Sequence, residues 1–223
     1  MSGETHCPLC GGHTISPYSS DRRRPYLICG VCSLVFVPPE HYLSRDAERA
    51  EYELHQNDIA DPGYRQFLSR LMEPLVARLS PGAHGLDFGC GPGPALAHML
   101  RESGFQVVLY DSIFAPEKAA LQASYAFVCA TEVVEHLHYP GRELARLWSL
   151  LPPGGWLGIM TKLRRNRVAF DSWHYKNDPT HVCFFSADTW QWWALQHGAS
   201  LEIIGADVIL LQRARTAPSP QPY

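Results

Sequence analysis

The chain lacks any apolar run approaching the roughly 20 residues that span a bilayer. Its opening, Met1-Ser2-Gly3-Glu4-Thr5-His6, has neither the basic start nor the apolar stretch of a secretory signal, so a cytoplasmic protein with no membrane span is expected. A charge bias is missing too. Lys and Arg number 19 against 22 Asp and Glu, a formal net charge of -3, which speaks against a dedicated nucleic-acid binder but not against a local basic patch. There is no internal repeat, acidic tail or basic block. What remains is 223 residues, 46% of them hydrophobic, enough for one full core and a small appendage.

The seven cysteines are an odd number, and in a reducing compartment they read as metal ligands rather than disulfides. Four form two knuckles, Cys7-Pro8-Leu9-Cys10 and Cys29-Gly30-Val31-Cys32, about 18 residues apart and within the spacing of a four-cysteine zinc site. Glycines beside each knuckle permit the turn that faces backbone N–H groups toward thiolates, and Tyr26-Leu27-Ile28 and Leu34-Val35-Phe36-Val37 read as ribbon strands. A zinc ribbon over residues 1–37 is expected, with redox-active pairs as the alternative. Four thiolates close the metal to substrate, so the zinc is structural. A segment this short has too little core, and the metal would supply on the order of 10 kcal/mol of its folding free energy. The hairpin Asp21-Arg22-Arg23-Arg24-Pro25 is either solvated or a phosphate grip made by guanidinium forks.

Pro38-Pro39 ends the ribbon, and residues 38–80 read as a helical connector or lid, with helical spacing in Phe67-Leu68, Leu71-Met72 and Leu75-Val76. Tyr42, Tyr52 and Tyr64 either line that lid or fill an inter-domain contact. Next comes Gly85-Leu86-Asp87-Phe88-Gly89-Cys90-Gly91-Pro92-Gly93-Pro94, an apolar strand end running into glycines that let a nucleoside-containing ligand lie against backbone. Pro94 stands where a dinucleotide fingerprint needs glycine, which argues against NAD or FAD. Val107-Val108-Leu109-Tyr110-Asp111 is a strand ending in a carboxylate placed to accept ribose hydroxyls.

Farther on, Ala126 to Ala130 reads as a fully buried strand that delivers Glu132 to the carboxyl edge of the sheet. In Glu132-Val133-Val134-Glu135-His136 the two acids and the imidazole share one face if the turn is helical. Together with His181 they offer a divalent-cation site, a metal-free acid–base pair, or a purely structural cluster. Asp178 and His174 are placed to join. Residues 162–185 look too polar for core, as a long loop that carries function. Asp188 is expected to cap a helix in which Trp190 and Trp193 pack inward and which Gly198 ends. Strands follow at 201–204 and 208–211, and a disordered tail at 214–223.

At these residues the chain resembles the class I S-adenosylmethionine-dependent methyltransferases. Asp87 to Gly93 matches their first motif, Asp111 the acidic end of their second strand, Thr131 to Leu137 their fourth motif, and Leu151-Pro152-Pro153-Gly154-Gly155 the turn before their fifth strand. The resemblance covers roughly residues 81–213. It implies an α/β, Rossmann-like, mostly parallel seven-stranded sheet, with S-adenosylmethionine held by Asp87, Gly89, Cys90, Gly91, Gly93, Asp111 and Glu132. One departure is the stretch Ser112–Ser124, too short for a clear third strand with its adenine-contacting acid. The E-x-x-E-H motif looks like the metal site of small-RNA 2′-O-methyltransferases, and a similar motif occurs in ubiquinone-biosynthesis O-methyltransferases. That likeness implies His136, His181 and Glu132 as catalytic residues, and Glu132, Glu135, His136 and His181 as ligands of a second ion, Mg, Mn, Fe or Zn. The expected acceptor is a small hydroxylated, sugar-like or lipid-linked molecule. The alternatives are RNA gripped by the ribbon and Arg22-Arg23-Arg24, or a non-catalytic S-adenosylmethionine-binding module.

Overall fold

Residues 6–54 and 58–215 are described by the computed structural model; the tail expected at 214–223 lies, from 216 onward, outside them. The chain opens with β1 (Ile15–Ser20), β2 (Pro25–Cys29) and β3 (Val35–Phe36), then α1 (Arg45–Glu53) and α2 (Pro62–Val76). Alternating units follow: β4 (His84–Phe88), α3 (Ala95–Glu102), β5 (Gln106–Tyr110), β6 (Phe127–Thr131), α4 (Pro140–Ser149) and β7 (Trp156–Met160). The last third holds α5 (Arg167–Asp171), β8 (Cys183–Phe184), α6 (Ala187–His197), β9 (Ala199–Ile204) and β10 (Val208–Arg213).

The main sheet runs β5-β4-β6-β7-β10-β9, its first four strands parallel and β10 antiparallel to both neighbours. Successive side chains of a strand point to opposite faces, so a strand covered on both sides reads as an unbroken apolar run. In β6, Phe127 and Cys129 pack with Leu68, Leu71, Leu75, Leu96 and Leu100 of α2 and α3. Val128 and Ala130 pack on the other face with Leu144, Leu147 and Trp148 of α4 and Trp190 and Trp193 of α6. Among the described residues the sheet has six strands, where seven are expected. Between β5 and β6 the chain makes only a bridge from Asp111 to Ala115 and a 3-10 turn at Lys118–Leu121, because the segment is too short to cross and return as a strand.

Three expectations give way. The cysteine-bearing ribbon is not a separate appendage: β8 pairs with β3 and completes a four-stranded sheet, β1-β2-β3-β8. Leu34, Val35 and Phe36 belong to the same core as α4 and α6. The main chain of Gly141, at the start of α4, sits so close to the first knuckle that a Cβ there would run into the Leu9 carbonyl. Nor is 162–185 too polar for core, since Phe170, Tyr175, Val182, Cys183, Phe184 and Phe185 are buried. Its buried Lys176 pairs with Asp21, and the two terminal guanidinium nitrogens of Arg164 donate to the Tyr18 hydroxyl and the Ser33 carbonyl. The helix cap also moves by two residues. Ser186, with Thr189, forms a reciprocal capping box, while Asp188 lies in the first turn; Gly198 ends α6 in the left-handed conformation.

Candidate active site

The carboxyl ends of the parallel strands open into one cavity of about 890 Å³, lined by the glycine loop, Asp87, Asp111, Glu132, His136 and His181 together with Tyr52 and Tyr64. At one end β4 breaks into the loop through Gly89 (φ +72°), whose N–H bonds the Tyr110 carbonyl at 2.7 Å. A Cβ at Gly89 would stand 2.5 Å from Val133, so bare backbone is required there. Gly91 is also left-handed (φ +63°) and donates its N–H to Asp111 Oδ2 at 3.1 Å. Asp111 Oδ1 accepts from the Ile113 and Phe114 N–H groups at 2.8 and 3.0 Å. These bonds fix the carboxylate at the cavity wall and leave lone pairs for a ligand's hydroxyls.

Asp87 is buried, and its Oδ1 has no hydrogen-bond partner among the described residues. Burial raises its carboxyl to about 7, opposed by the Ala97 N–H and Arg101. A buried acid with an orphaned oxygen at the root of a glycine loop fits a ligand that brings a cationic amine. Cys90 and Gly93 line the same end. Burial, with the nearby acids Asp87 and Asp111, pushes the Cys90 thiol up to about 12, so it is not poised as a nucleophile.

At the other end the motif that starts at Glu132 does not form the helical face its spacing predicts. Glu132 itself is left-handed (φ +51°) and only Val134–His136 makes a 3-10 turn, so the three side chains do not line up on one helical face. Among the described residues, Glu135, His136 and His181 bring one ligand atom each within 4.8 Å of one another; Glu132 is outside that group. Both acids accept instead from the Tyr175 hydroxyl, Glu132 Oε2 at 3.2 Å and Glu135 Oε1 more closely. Burial raises Glu132 to about 7, and burial with the Glu132 charge raises Glu135 to about 8. Glu132 Oε1 and Glu135 Oε2 have no hydrogen-bond partner among the described residues. Tyr175 carried no sequence signal: a lone tyrosine in a loop has no spacing that announces two distant acids.

His181 Nδ1 lies 2.8 Å from the Tyr175 carbonyl. A carbonyl only accepts, so Nδ1 carries a hydrogen. The His136 and His181 rings meet edge-on at 4.6 Å, and Asp178 Oδ2 is 3.7 Å from His181 Nε2. His174 faces elsewhere, 3.1 Å from Lys162 Nζ. α1, which buries no residue, reaches this end through Glu48 and Tyr52. Glu48 pairs with His138 at 3.3 Å and accepts from Tyr52, whose ring meets His136 edge-on. Tyr42 is not among the cavity-lining residues and stacks on His138 at 4.3 Å.

In the ribbon, Cys7, Cys10, Cys29 and Cys32 bring their four Sγ atoms within 4.8 Å of one another. The Gly12 and Val31 N–H groups donate to Cys10 and Cys29, both at 3.4 Å. The Cys32 thiol draws Cys7 down to about 5, while burial holds Cys10 up at about 12. Four thiols so close ionise together only around a cation, and a tetrahedral sulfur cage suits zinc. Two of the three arginines between the knuckles are not free to grip phosphate. Arg23 is bound to Asn177, and Arg24 is buried on the carbonyls of Lys176, Asp178 and Pro179.

A family model described as "Methyltransferase domain" matches residues 63–202, more than half of the chain. No curated protein matches. Among solved structures, the chain is similar to magnesium protoporphyrin IX methyltransferase from Synechocystis with bound S-adenosylhomocysteine. The TM-score there is 0.51 at 15% identity, over 76% of this chain and 94% of the other. A Burkholderia thailandensis 1,6-didemethyltoxoflavin N1-methyltransferase gives 0.48 at 18% identity over 89% and 99%. The CurJ carbon methyltransferase gives 0.44 at 15%, over 67% of this chain and 54% of its own length.

Proposed function

The chain belongs to the methyltransferase-domain family and is an S-adenosylmethionine-dependent methyltransferase, and from that premise we propose that it methylates a small hydroxylated, sugar-like or lipid-linked acceptor. One observation carries this reading: a single cavity of about 890 Å³ joins the glycine loop to the histidine pair, so donor and acceptor meet without leaving it. The donor's sulfonium supplies an already electrophilic methyl group. The protein's share is to align the reacting atoms and take a proton from the acceptor.

At the donor end Asp87 binds the amino group of the methionine part, Gly89, Cys90, Gly91 and Gly93 give it backbone to lie against, and Asp111 takes the ribose hydroxyls. Glu132, at the head of β6, faces the reacting centre between the two ends. Across the cavity His181 Nε2 receives the acceptor's hydroxyl proton, Asp178 steadies the resulting imidazolium, and His136 orients the acceptor. Tyr52 and Tyr64 cover the site. Residues 1–37 act as a structural zinc ribbon, 38–80 as connector and lid, and 81–213 as the methyltransferase unit. RNA is not the favoured acceptor, because Arg23 and Arg24 are spent on internal contacts.

A second reading is favoured by the convergence of Glu135, His136 and His181. These residues fit a divalent cation, Mg, Mn, Fe or Zn, which would lower the pKa of an acceptor hydroxyl. Elemental analysis separates the two. One zinc per chain, with turnover indifferent to mild chelation, supports the histidine base; a second ion lost in His181→Ala supports the cation. The proposal as a whole is tested by titrating S-adenosylhomocysteine into the protein in a calorimeter. Binding that is lost in Asp111→Ala supports it, and no binding to the unmodified chain refutes it. Methyl-labelled S-adenosylmethionine incubated with fractionated metabolite and RNA extracts then identifies the acceptor class.

A further inference from the structure

The hairpin between the two cysteine knuckles reaches across the molecule and grips the segment that carries Asp178 and His181. Arg24 is only 7% exposed. Its guanidinium donates to three main-chain carbonyls, those of Lys176 at 2.9 Å, Asp178 at 2.8 Å and Pro179 at 3.0 Å, while its Nε donates to the Tyr26 hydroxyl at 3.3 Å. Asp21 completes the grip, accepting from Lys176 Nζ at 2.7 Å and from the Tyr26 hydroxyl at 2.9 Å. A guanidinium stripped of water and offered neutral carbonyls is expensive unless every arm is used. Here the fork spans four consecutive residues of a loop that has little regular structure of its own, a 3-10 turn at His174–Asn177.

The held segment meets the site from its other side. The Val182 N–H bonds the Glu135 carbonyl at 2.8 Å, and the Val37 N–H bonds the Val182 carbonyl at 2.9 Å. Within it, Asp178 Oδ1 accepts from the Thr180 N–H and hydroxyl, and His181 Nδ1 is tied to the Tyr175 carbonyl. The ring and carboxylate that face the acceptor therefore stand where two outside anchors put them, the hairpin and the Glu135 turn.

We propose that Arg24, supported by Asp21, is a positioning residue that holds Asp178 and His181 against His136 at the acceptor end of the cavity. This deepens the proposed function and rests on its assignment of His181 to the acceptor, but its test reads the ring itself and needs neither acceptor nor donor. In full-length nitrogen-15-labelled protein the His181 Nδ1 hydrogen, sheltered by the Tyr175 carbonyl, gives an imidazole signal whose exchange with water is measured by NMR. Arg24→Ala is expected to speed that exchange by about tenfold or more as the loop opens locally, while S-adenosylhomocysteine affinity stays within about twofold because the glycine-loop end is untouched. Arg24→Lys restores the protection only in part, since an ammonium has no fork. Asp21→Asn removes the partner of Lys176 without emptying a buried site; it moves the exchange in the same direction and decides the matter if Arg24→Ala does not fold. Unchanged His181 exchange in every folded variant overturns the proposal, as does a parallel loss at both ends of the cavity. Failure of the unmodified protein to bind S-adenosylhomocysteine would refute the proposed function and leave the exchange comparison standing.

Discussion

At the scale of single residues, the donor end turns on groups whose environment is costly without a ligand. Asp87 is held at about 7 by burial, above the ordinary carboxylate value of about 3.9. For an acid whose folded pKa is raised, the folded state is penalised as pH climbs from the unfolded value to the folded one. The ligand-free protein should therefore lose stability between about pH 4 and pH 7 on account of this group, a loss that thermal melts of Asp87→Asn should not share. A ligand amine favours the carboxylate form. Affinity for S-adenosylhomocysteine should then rise by up to about tenfold per pH unit toward pH 7 and level off, whereas Asp87→Asn gives a flat, weak profile by calorimetry. Gly89→Ala places a Cβ 2.5 Å from Val133 at a φ of +72°. It should cost about 1–3 kcal/mol in melting experiments and weaken the ligand further by moving the loop. Tyr175→Phe removes the hydroxyl shared by buried Glu135 and half-buried Glu132 and should destabilise the fold by about 1–3 kcal/mol. The glycines and Asp111 were legible in the sequence because a left-handed loop and a strand-end acid follow from residue type. Tyr175 was not, because its partners are 43 and 40 positions away.

At the scale of elements, the strands could be read from their apolar runs and the closing pair from its spacing, and β9 and β10 fall where the pattern puts them. The ribbon's knuckles were legible for the same local reason. Its attachment was not, since the pairing of β3 with β8 joins residues 35–36 to 183–184, and a two-residue strand leaves no periodicity. The motif at Glu132 misled for a related reason. Helical spacing presumes a helix, and a left-handed residue at its head keeps the first acid out of the group formed by Glu135, His136 and His181. This shared packing makes a prediction that a detachable ribbon would not share. Strong chelation of zinc-loaded protein, or replacing Cys29 with Ser, should lower the melting temperature of the whole protein in one cooperative calorimetric transition, with a loss of at least several kcal/mol. Two separate transitions would show that the ribbon folds apart from the rest.

At the scale of the whole molecule, the sheet's carboxyl edge and a polar helix line one cavity, and the cysteine-bearing ribbon holds the segment that brings Asp178 and His181 to its wall. α1 buries no residue yet contributes Arg45, Glu48 and Tyr52 to the wall, so amide exchange over residues 45–54 should slow when S-adenosylhomocysteine is added. In the proposed function donor and acceptor ends belong to one chamber, and the sulfur of the donor is turned toward the histidine pair. A crystal structure of the protein with S-adenosylhomocysteine tests it most directly. The expected result has the methionine part on Gly89–Gly93, the ribose hydroxyls on Asp111 and the sulfur facing His136 and His181; a ligand bound elsewhere, or a sulfur turned away from those rings, would contradict it.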